Sequence, residues 1–128
     1  MSYILEDIAK FVPKGRTVRL TLLPEKPVDC WVLSETRIDV DETSLNVGDN
    51  VYFSSYVNVY CRQSPNNNST YSTIINDLKS FYSVLCGRIN SNVGDNYIMN
   101  IKDFECLPLG RDDKGNYLVS LNFVIDYV

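Results

Sequence analysis

The side chains that could support chemistry in this 128-residue chain are its acids and its four cysteines, because it contains no histidine. Histidine is the commonest general base, the usual partner of a serine or cysteine nucleophile, and a frequent metal ligand. The cysteines are far apart in the sequence and include no Cys-x-x-Cys pair: Cys30, Cys61, Cys86 and Cys106. We therefore expect free thiols. A zinc site is the minor alternative, since such sites usually have closely spaced ligand pairs.

Two acidic stretches have the composition of a cation site or of paired catalytic carboxylates. They are Asp39, Asp41 and Glu42 in the first stretch, and Arg111, Asp112, Asp113 and Lys114 in the second. A calcium loop needs a longer series of oxygen ligands closed by a distal glutamate, and basic residues flank the second acidic pair. Both stretches are interpreted as solvated connections and candidate interaction loops. With no phosphate loop, nucleophile elbow or metalloprotease motif, we expect no enzymatic activity, no metal and no cofactor.

A ladder of tyrosines is the third feature with possible chemistry. Tyr52, Tyr56 and Tyr60 fall on one face of a predicted strand. Aromatic platforms can stack nucleic-acid bases, but they are then accompanied by a basic groove. This strand has only one basic residue, Arg62, and the net charge of −4 does not indicate the basic surface that DNA-binding proteins have. Packing against a helix or a neighbouring subunit is the preferred interpretation, which makes the three tyrosines a candidate subunit interface.

The bulk composition is that of one ordinary domain. A chain of 128 residues with 45% hydrophobic content can bury a single core, and no linker divides it, so we expect one domain over residues 1–128. No apolar run reaches the ~20 residues of a membrane span, and the start is acidic where a signal peptide would be basic. We expect a soluble, unexported protein with no membrane partner.

Hydrophobic periodicity predicts the elements that position these residues. A short amphipathic N-terminal helix is followed by strands at residues 17–23, 30–33 and 51–62, with an acidic loop at residues 35–46. A helix at residues 70–86 has an apolar stripe of Ile74, Ile75, Leu78, Phe81 and Leu85. Strands at residues 96–107 and 117–127 flank a hairpin turn at residues 110–116. The predicted fold class is α+β, with a mainly antiparallel sheet, one long helix packed on one face and a short N-terminal helix.

Four segments, in this order along the chain, resemble one known family. They are residues 27–36 (PVDCWVLSET), 57–64 (VNVYCRQS), 107–116 (LPLGRDDKGN) and 121–125 (LNFVI), with the predicted helix between the second and the third. The set resembles the tail-terminator proteins of long-tailed bacteriophages, which are also labelled tail-completion or minor capsid proteins. Residues 37–40 (RIDV) stand where that family often has a glycine pair and a proline.

The resemblance implies a structural virion protein at the head–tail junction, assembled in the host cytoplasm. Such a protein forms a ring of identical subunits, usually a hexamer, which binds the tail-tube protein at the end of the finished tube and presents its other face to the head-completion or connector protein. DNA would pass through the lumen without specific binding, because an acidic lumen repels phosphates. One of the two acidic stretches is expected to project toward the lumen or an end face of this ring.

Other functions remain open at this point. The nearest is another head–tail joint protein or a tail-tube subunit, which polymerises without limit. A different class is a phage-encoded protein-binding module that acts through the tyrosine face as a monomer or dimer. A third is an enzyme that uses a cysteine or a carboxylate.

Overall fold

Two helices and six strands make up the parts of the chain that the computed structural model describes, which are residues 3–13, 17–23, 28–41, 52–64 and 71–128. The helices are α1 (Ile4–Ala9) and α2 (Tyr71–Cys86). The strands are β1 (Val18–Leu20), β2 (Cys30–Asp41), β3 (Tyr52–Gln63), β4 (Ser91–Val93), β5 (Asn96–Arg111) and β6 (Tyr117–Tyr127).

The six strands form a single mixed sheet in the order β1-β2-β3-β6-β5-β4. The short strand β1 runs parallel to β2, and every other neighbouring pair is antiparallel. The four long strands β2, β3, β6 and β5 therefore lie side by side in the centre. The short strands β1 and β4 lie at the two opposite edges.

The predicted fold class is wrong. Strands account for 55% of the described residues, and the chain is a curled six-stranded mixed sheet with two short helices, not a sheet with one long helix packed on a face. Two strands are longer than the sequence suggested, since β2 continues to Asp41 and β5 to Arg111. Strand β4 was not predicted from the sequence.

The predicted acidic loop at residues 35–46 is wrong for its first part, because residues 35–41 belong to β2. A β-bulge between Glu35 and Arg37 shifts the register with β3, so the inward-outward alternation of side chains changes phase at that point. The charged residues beyond the bulge also have weak strand preference by themselves. Pairing with β3 continues to Asp41 opposite Tyr52, and this long-range pairing overrides the local preference.

The hydrophobic core lies between the helices and one face of the sheet, named the core face, which carries Val57, Val59 and Cys61 of β3. Helix α2 contributes residues that are at most 1% exposed, namely Ile74, Leu78, Phe81 and Leu85. The ring of Phe81 lies 5.8 Å from that of Trp31 and 6.4 Å from that of Phe123, centroid to centroid. The remaining member of the predicted stripe, Ile75, is only half-buried.

Helix α1 is joined to the turn between β4 and β5 by a buried carboxylate. Asp7 is only 2% exposed and accepts a hydrogen bond from the side-chain amide of Asn96 at 2.9 Å. Gly94, in that turn, approaches the same carboxylate closely. The contact fixes the first helix against the far end of the sheet. Neither helix in the described part of the chain is long and apolar enough to span a membrane.

Candidate functional site

The hairpin turn between β5 and β6 was predicted and is confirmed, since Arg111 pairs with Tyr117 across it. The carboxylate of Asp112 accepts hydrogen bonds at 2.9 Å from the backbone N–H groups of Lys114 and Asn116 and from the side-chain amide of Asn116. These hydrogen bonds, led by the one from the Asn116 side chain, lower the pKa of Asp112. Asp112 therefore holds the turn in shape.

Arg111 is also engaged within the hairpin. Its guanidinium lies 4.5 Å from the centre of the Tyr117 ring and donates a hydrogen bond of 2.6 Å to the Tyr117 hydroxyl. Asp113 and Lys114 are exposed at the tip. Of the four predicted interaction residues in this turn, two hold the hairpin together and two are presented to the surroundings.

Asp39 and Asp41 of the first acidic stretch lie on a strand and not on a loop. Asp39 accepts a hydrogen bond of 2.9 Å from Arg37, whose guanidinium also donates to the Tyr56 hydroxyl at 2.7 Å and lies 4.2 Å from the centre of that ring. Asp41 is the last residue of β2, and Glu42 lies outside the described residues. Among the described residues, Asp39 and Asp41 lie at the end of the sheet where β3 begins, and the β5–β6 hairpin turn lies at the opposite end, where β3 ends.

The tyrosine ladder lies on the face of the sheet opposite the core face, named the outer face. Tyr52, Tyr56 and Tyr60 are half-buried there, and burial raises the pKa of Tyr60. Their strand, β3, is in the middle of the sheet, between β2 and β6. The proposed role of the tyrosines as a subunit interface stays a prediction, and it would require contact through the face of the sheet.

Polar side chains beside the tyrosines are hydrogen-bonded to one another across the strands. The side-chain amide of Asn58 donates to Ser120 at 2.8 Å and to Asn122 at 2.6 Å. Asp126 accepts a hydrogen bond of 2.5 Å from Ser54 and lies 3.5 Å from the ammonium of Lys102. The outer face is thus a polar surface on which many hydrogen-bonding groups are satisfied within the subunit.

Exposed apolar side chains, by contrast, concentrate at the two opposite edges of the sheet. In the described part of the chain, the exposed large hydrophobic residues at the β1–β2 edge are Leu22, Leu23, Ile38 and Val40. Those on β5, at the β4–β5 edge, are Tyr97, Phe104, Leu107 and Leu109. The other two exposed large hydrophobic residues in the described part of the chain are Tyr3 and Val84. Exposed apolar groups that share one location indicate an interaction surface.

The backbone at both edges is also open to pairing. Strand β1 pairs only with residues 31–33 of β2, and β4 pairs only with residues 96–98 of β5. Among the described residues, residues 34–41 and 99–111 therefore have a strand neighbour on one side only. Unpaired N–H and C=O groups along a strand are a template for pairing with another chain.

These edges were not predicted from the sequence, although the sequence contains one signal for them. Pro108 lies within β5, and proline has no N–H to donate to a neighbouring strand. Proline inside a strand is therefore confined to edges and bulges, and the register of β5 does shift between Pro108 and Gly110. The segment Leu107-Pro108-Leu109 therefore indicates an apolar edge strand.

Two of the four cysteines, Cys30 and Cys106, have little of the character of nucleophiles. Cys30 and Cys61 are buried free thiols, and Cys86 and Cys106 are half-buried free thiols. Burial raises the pKa of Cys30, against the opposing effect of Arg19 and Arg62, and burial also raises the pKa of Cys106. A raised pKa keeps a thiol protonated, and the thiolate is the reactive form. Within the described ranges, no three His, Cys, Asp or Glu side chains are grouped so that they could hold a metal ion.

No model of a known protein family matches the chain, and no curated protein matches it significantly.

Proposed function

We propose that this protein is a structural subunit that assembles into a closed ring through the two edges of its sheet. In the virion the ring ends tail-tube polymerisation and joins the tail to the head connector. The observation that carries the ring is the concentration of exposed apolar side chains at two opposite, incompletely paired edges. The assignment to the tail terminus rests on the resemblance of residues 27–36, 57–64, 107–116 and 121–125 to tail-terminator proteins.

The two edges differ from each other, which favours a ring over a symmetric dimer. The β1–β2 edge presents Ile38 and Val40, and the β4–β5 edge presents Phe104, Leu107 and Leu109. When a surface patch on one copy fits a different patch on the next, the contact is head-to-tail and closes into a ring if the rotation permits. An isologous dimer would leave one apolar edge of each copy uncovered.

The strand directions also suit this contact. Strand β2 is antiparallel to β3, β3 to β6, and β6 to β5, so β2 and β5 run in opposite directions within the subunit. Copies related by rotation about an axis along the strands would therefore meet with β5 antiparallel to the next β2. Antiparallel pairs are slightly more stable per residue than parallel ones. The sheets would then continue from one copy to the next.

The oligomeric state of the purified protein tests the proposal. Native mass spectrometry and negative-stain electron microscopy should show a closed ring of identical subunits, with a hexamer as the expected size. Long tubes would instead identify a tail-tube subunit, since tube proteins polymerise without limit. A protein that stays monomeric or dimeric at all concentrations would support the protein-binding module and would contradict the ring.

The role in the virion is tested by disrupting the gene in the phage that encodes it. Loss of a tail terminator should leave DNA-filled heads without tails and tail tubes longer than normal, as seen by electron microscopy of lysates. Tails of normal length joined to heads would contradict the role. A plasmid copy of the intact gene is the control that should restore complete particles.

A further inference from the structure

A pocket of about 250 Å³ opens beside helix α1, at the end of the sheet where β3 begins and β6 ends. Its walls are mostly apolar and aromatic. The lining includes the rings of Tyr3, Phe53 and Tyr127, the aliphatic side chains of Ile4 and Ile38, and the carboxylate of Glu35. This volume lies below the ~300–1,000 Å³ of most small-molecule sites, so it suits a single side chain.

Glu35 gives the pocket its polar end. One oxygen of its carboxylate, Oε2, accepts a hydrogen bond from the hydroxyl of Ser55, which is fully buried. The other oxygen, Oε1, is buried and has no hydrogen-bond partner in the described part of the chain. A buried acceptor without a donor is costly, and a donor that reaches it recovers that cost.

The aromatic rings favour a positive charge beside this carboxylate. Phe53 and Tyr127 are paired across neighbouring strands and stack with their centroids 5.6 Å apart. The Tyr3 hydroxyl also donates a hydrogen bond to the Glu35 carboxylate, which leaves Oε1 as the oxygen without a partner. Burial, followed by this hydrogen bond and the negative charge of Glu35, raises the pKa of Tyr3 to about 12, so its phenol stays neutral. Neutral aromatic rings attract cations to their faces, and several rings together form the cages that bind ammonium groups.

The nearest basic residue along β2 does not fill this role. Arg37 lies two positions beyond Glu35, but its guanidinium is on the outer face, where it binds Asp39 and Tyr56. The pocket therefore combines apolar walls, three aromatic rings and a carboxylate oxygen that can accept a hydrogen bond. These are the features that recognise an apolar stem ending in a cationic N–H donor.

We propose that this pocket binds the primary ammonium group of a lysine side chain supplied by a partner protein. A lysine stem would lie along Ile4 and Ile38, and its ammonium would donate a hydrogen bond to Glu35 Oε1. A quaternary ammonium such as choline has no N–H and could not satisfy this oxygen. The pocket is lined by residues of one subunit, and one of them, Ile38, also belongs to the β1–β2 edge proposed above as a ring contact. Binding to the pocket is therefore measured separately from ring assembly.

Titration of the ¹⁵N-labelled protein with n-butylammonium, followed by NMR, tests the proposal. Saturable shifts should appear at the amides around Phe53 and Tyr127. Tetramethylammonium has a positive charge but no N–H, and n-butanol has no positive charge. Each should bind about tenfold more weakly than n-butylammonium, which is the loss expected for one charge-assisted hydrogen bond. Equal binding of n-butanol would overturn the proposal, and so would no shift with n-butylammonium.

Two variants and a peptide complete the experiment. Glu35→Gln should weaken n-butylammonium binding about tenfold, whereas Glu105→Gln, which removes an exposed carboxylate on β5, should leave it unchanged. Equal effects of the two variants would overturn the role of Glu35. If Glu35→Gln does not fold, the ligand comparison on the unmodified protein decides alone. A Leu-Lys-Leu peptide with blocked termini should bind at least as tightly as n-butylammonium. If the peptide does not bind, the assignment of the ligand to a partner protein is overturned.

Discussion

At the scale of single residues, the contact between Asp7 and Gly94 shows how closely the chain is packed where its first helix meets the sheet. Gly94 has a backbone φ of +60°, a region that residues with a Cβ atom rarely adopt. A Cβ atom at this position would lie 2.5 Å from Oδ1 of Asp7. Asp7 is held by Asn96, so the carboxylate has little freedom to move. Glycine is therefore required here for two separate reasons.

Replacement of Gly94 by alanine should destabilise the protein by more than backbone strain alone. Strain in this region of φ costs about 1–3 kcal/mol, and the collision with Asp7 adds to it. Gly115→Ala is the matched control, because Gly115 has a φ of +82° but nothing within 4 Å of an added Cβ. Urea denaturation of both variants measures the two costs. Equal losses in free energy of unfolding would show that Asp7 does not restrict this position.

Asp112 gives a prediction for the pH dependence of stability. Its folded-state pKa is lowered from 3.8 by hydrogen bonds to Asn116 and Lys114. A carboxyl group whose pKa is lowered on folding stabilises the protein fully when the pH is above its unfolded-state pKa. This stabilisation is lost as the pH falls through its folded-state pKa. The unmodified protein should therefore be more stable than Asp112→Asn at neutral pH, and this difference should shrink below about pH 4.

Thermal unfolding between pH 7 and pH 2 measures this difference. Asp113→Asn, which changes the exposed neighbouring carboxylate, should behave like the unmodified protein across the range. A constant difference between the unmodified protein and Asp112→Asn at all pH values would show that the Asp112 carboxylate does not contribute through its charge.

At the scale of secondary structure, helix α2 shows what periodicity can predict. The sequence pattern placed a helix at residues 70–86, and the structure has Tyr71–Cys86 with Ile74, Leu78, Phe81 and Leu85 in the core. These residues recur at the spacing of one helical face, and that spacing is a local property of the sequence. The β5–β6 hairpin was predicted for a similar reason, since its turn residues are adjacent in the chain.

The extent of β2 and β5 could not be predicted in this way. Both strands contain register shifts, between Glu35 and Arg37 in β2 and at three places in β5, including one between Lys102 and Glu105. Each shift breaks the two-residue alternation that identifies a strand, and the pairing that maintains the strand comes from residues distant in sequence. The same cause hid most of the candidate site. Pro108 is a local signal for an edge strand, but which other residues lie at an edge is defined only once the order of strands is known.

Leu78→Ala tests the importance of α2 to the core. Leu78 is fully buried, so its truncation should leave a cavity and cost about 2–5 kcal/mol of unfolding free energy. Val84→Ala, on the exposed side of the same helix, should change stability by no more than about 0.5 kcal/mol. Chemical denaturation measures both variants. Similar small effects would mean that the helix does not stabilise the sheet.

At the scale of the whole molecule, the surface is divided between a polar outer face and two apolar edges. Hydrogen bonds such as those of Asn58 and Asp126 are made within the subunit on the outer face, whereas Val40 and Leu107 are exposed at opposite edges. This division is what an assembly through edges requires, since a polar face can stay in contact with water. The tyrosine ladder, in the middle of the outer face, would then face one side of the ring wall.

Assembly of single-edge variants is the measurement that tests the ring most directly. Val40→Lys places a charge on the β1–β2 edge, and Leu107→Lys places one on the β4–β5 edge. Each variant alone should be monomeric by native mass spectrometry, because every head-to-tail contact contains the altered edge of one copy. An equal mixture should give dimers, since one intact pair of edges remains between the two variants. Val84→Lys, at a similarly exposed valine away from both edges, should form the same ring as the unmodified protein. Rings of unchanged size in both edge variants would contradict assembly through the edges of the sheet.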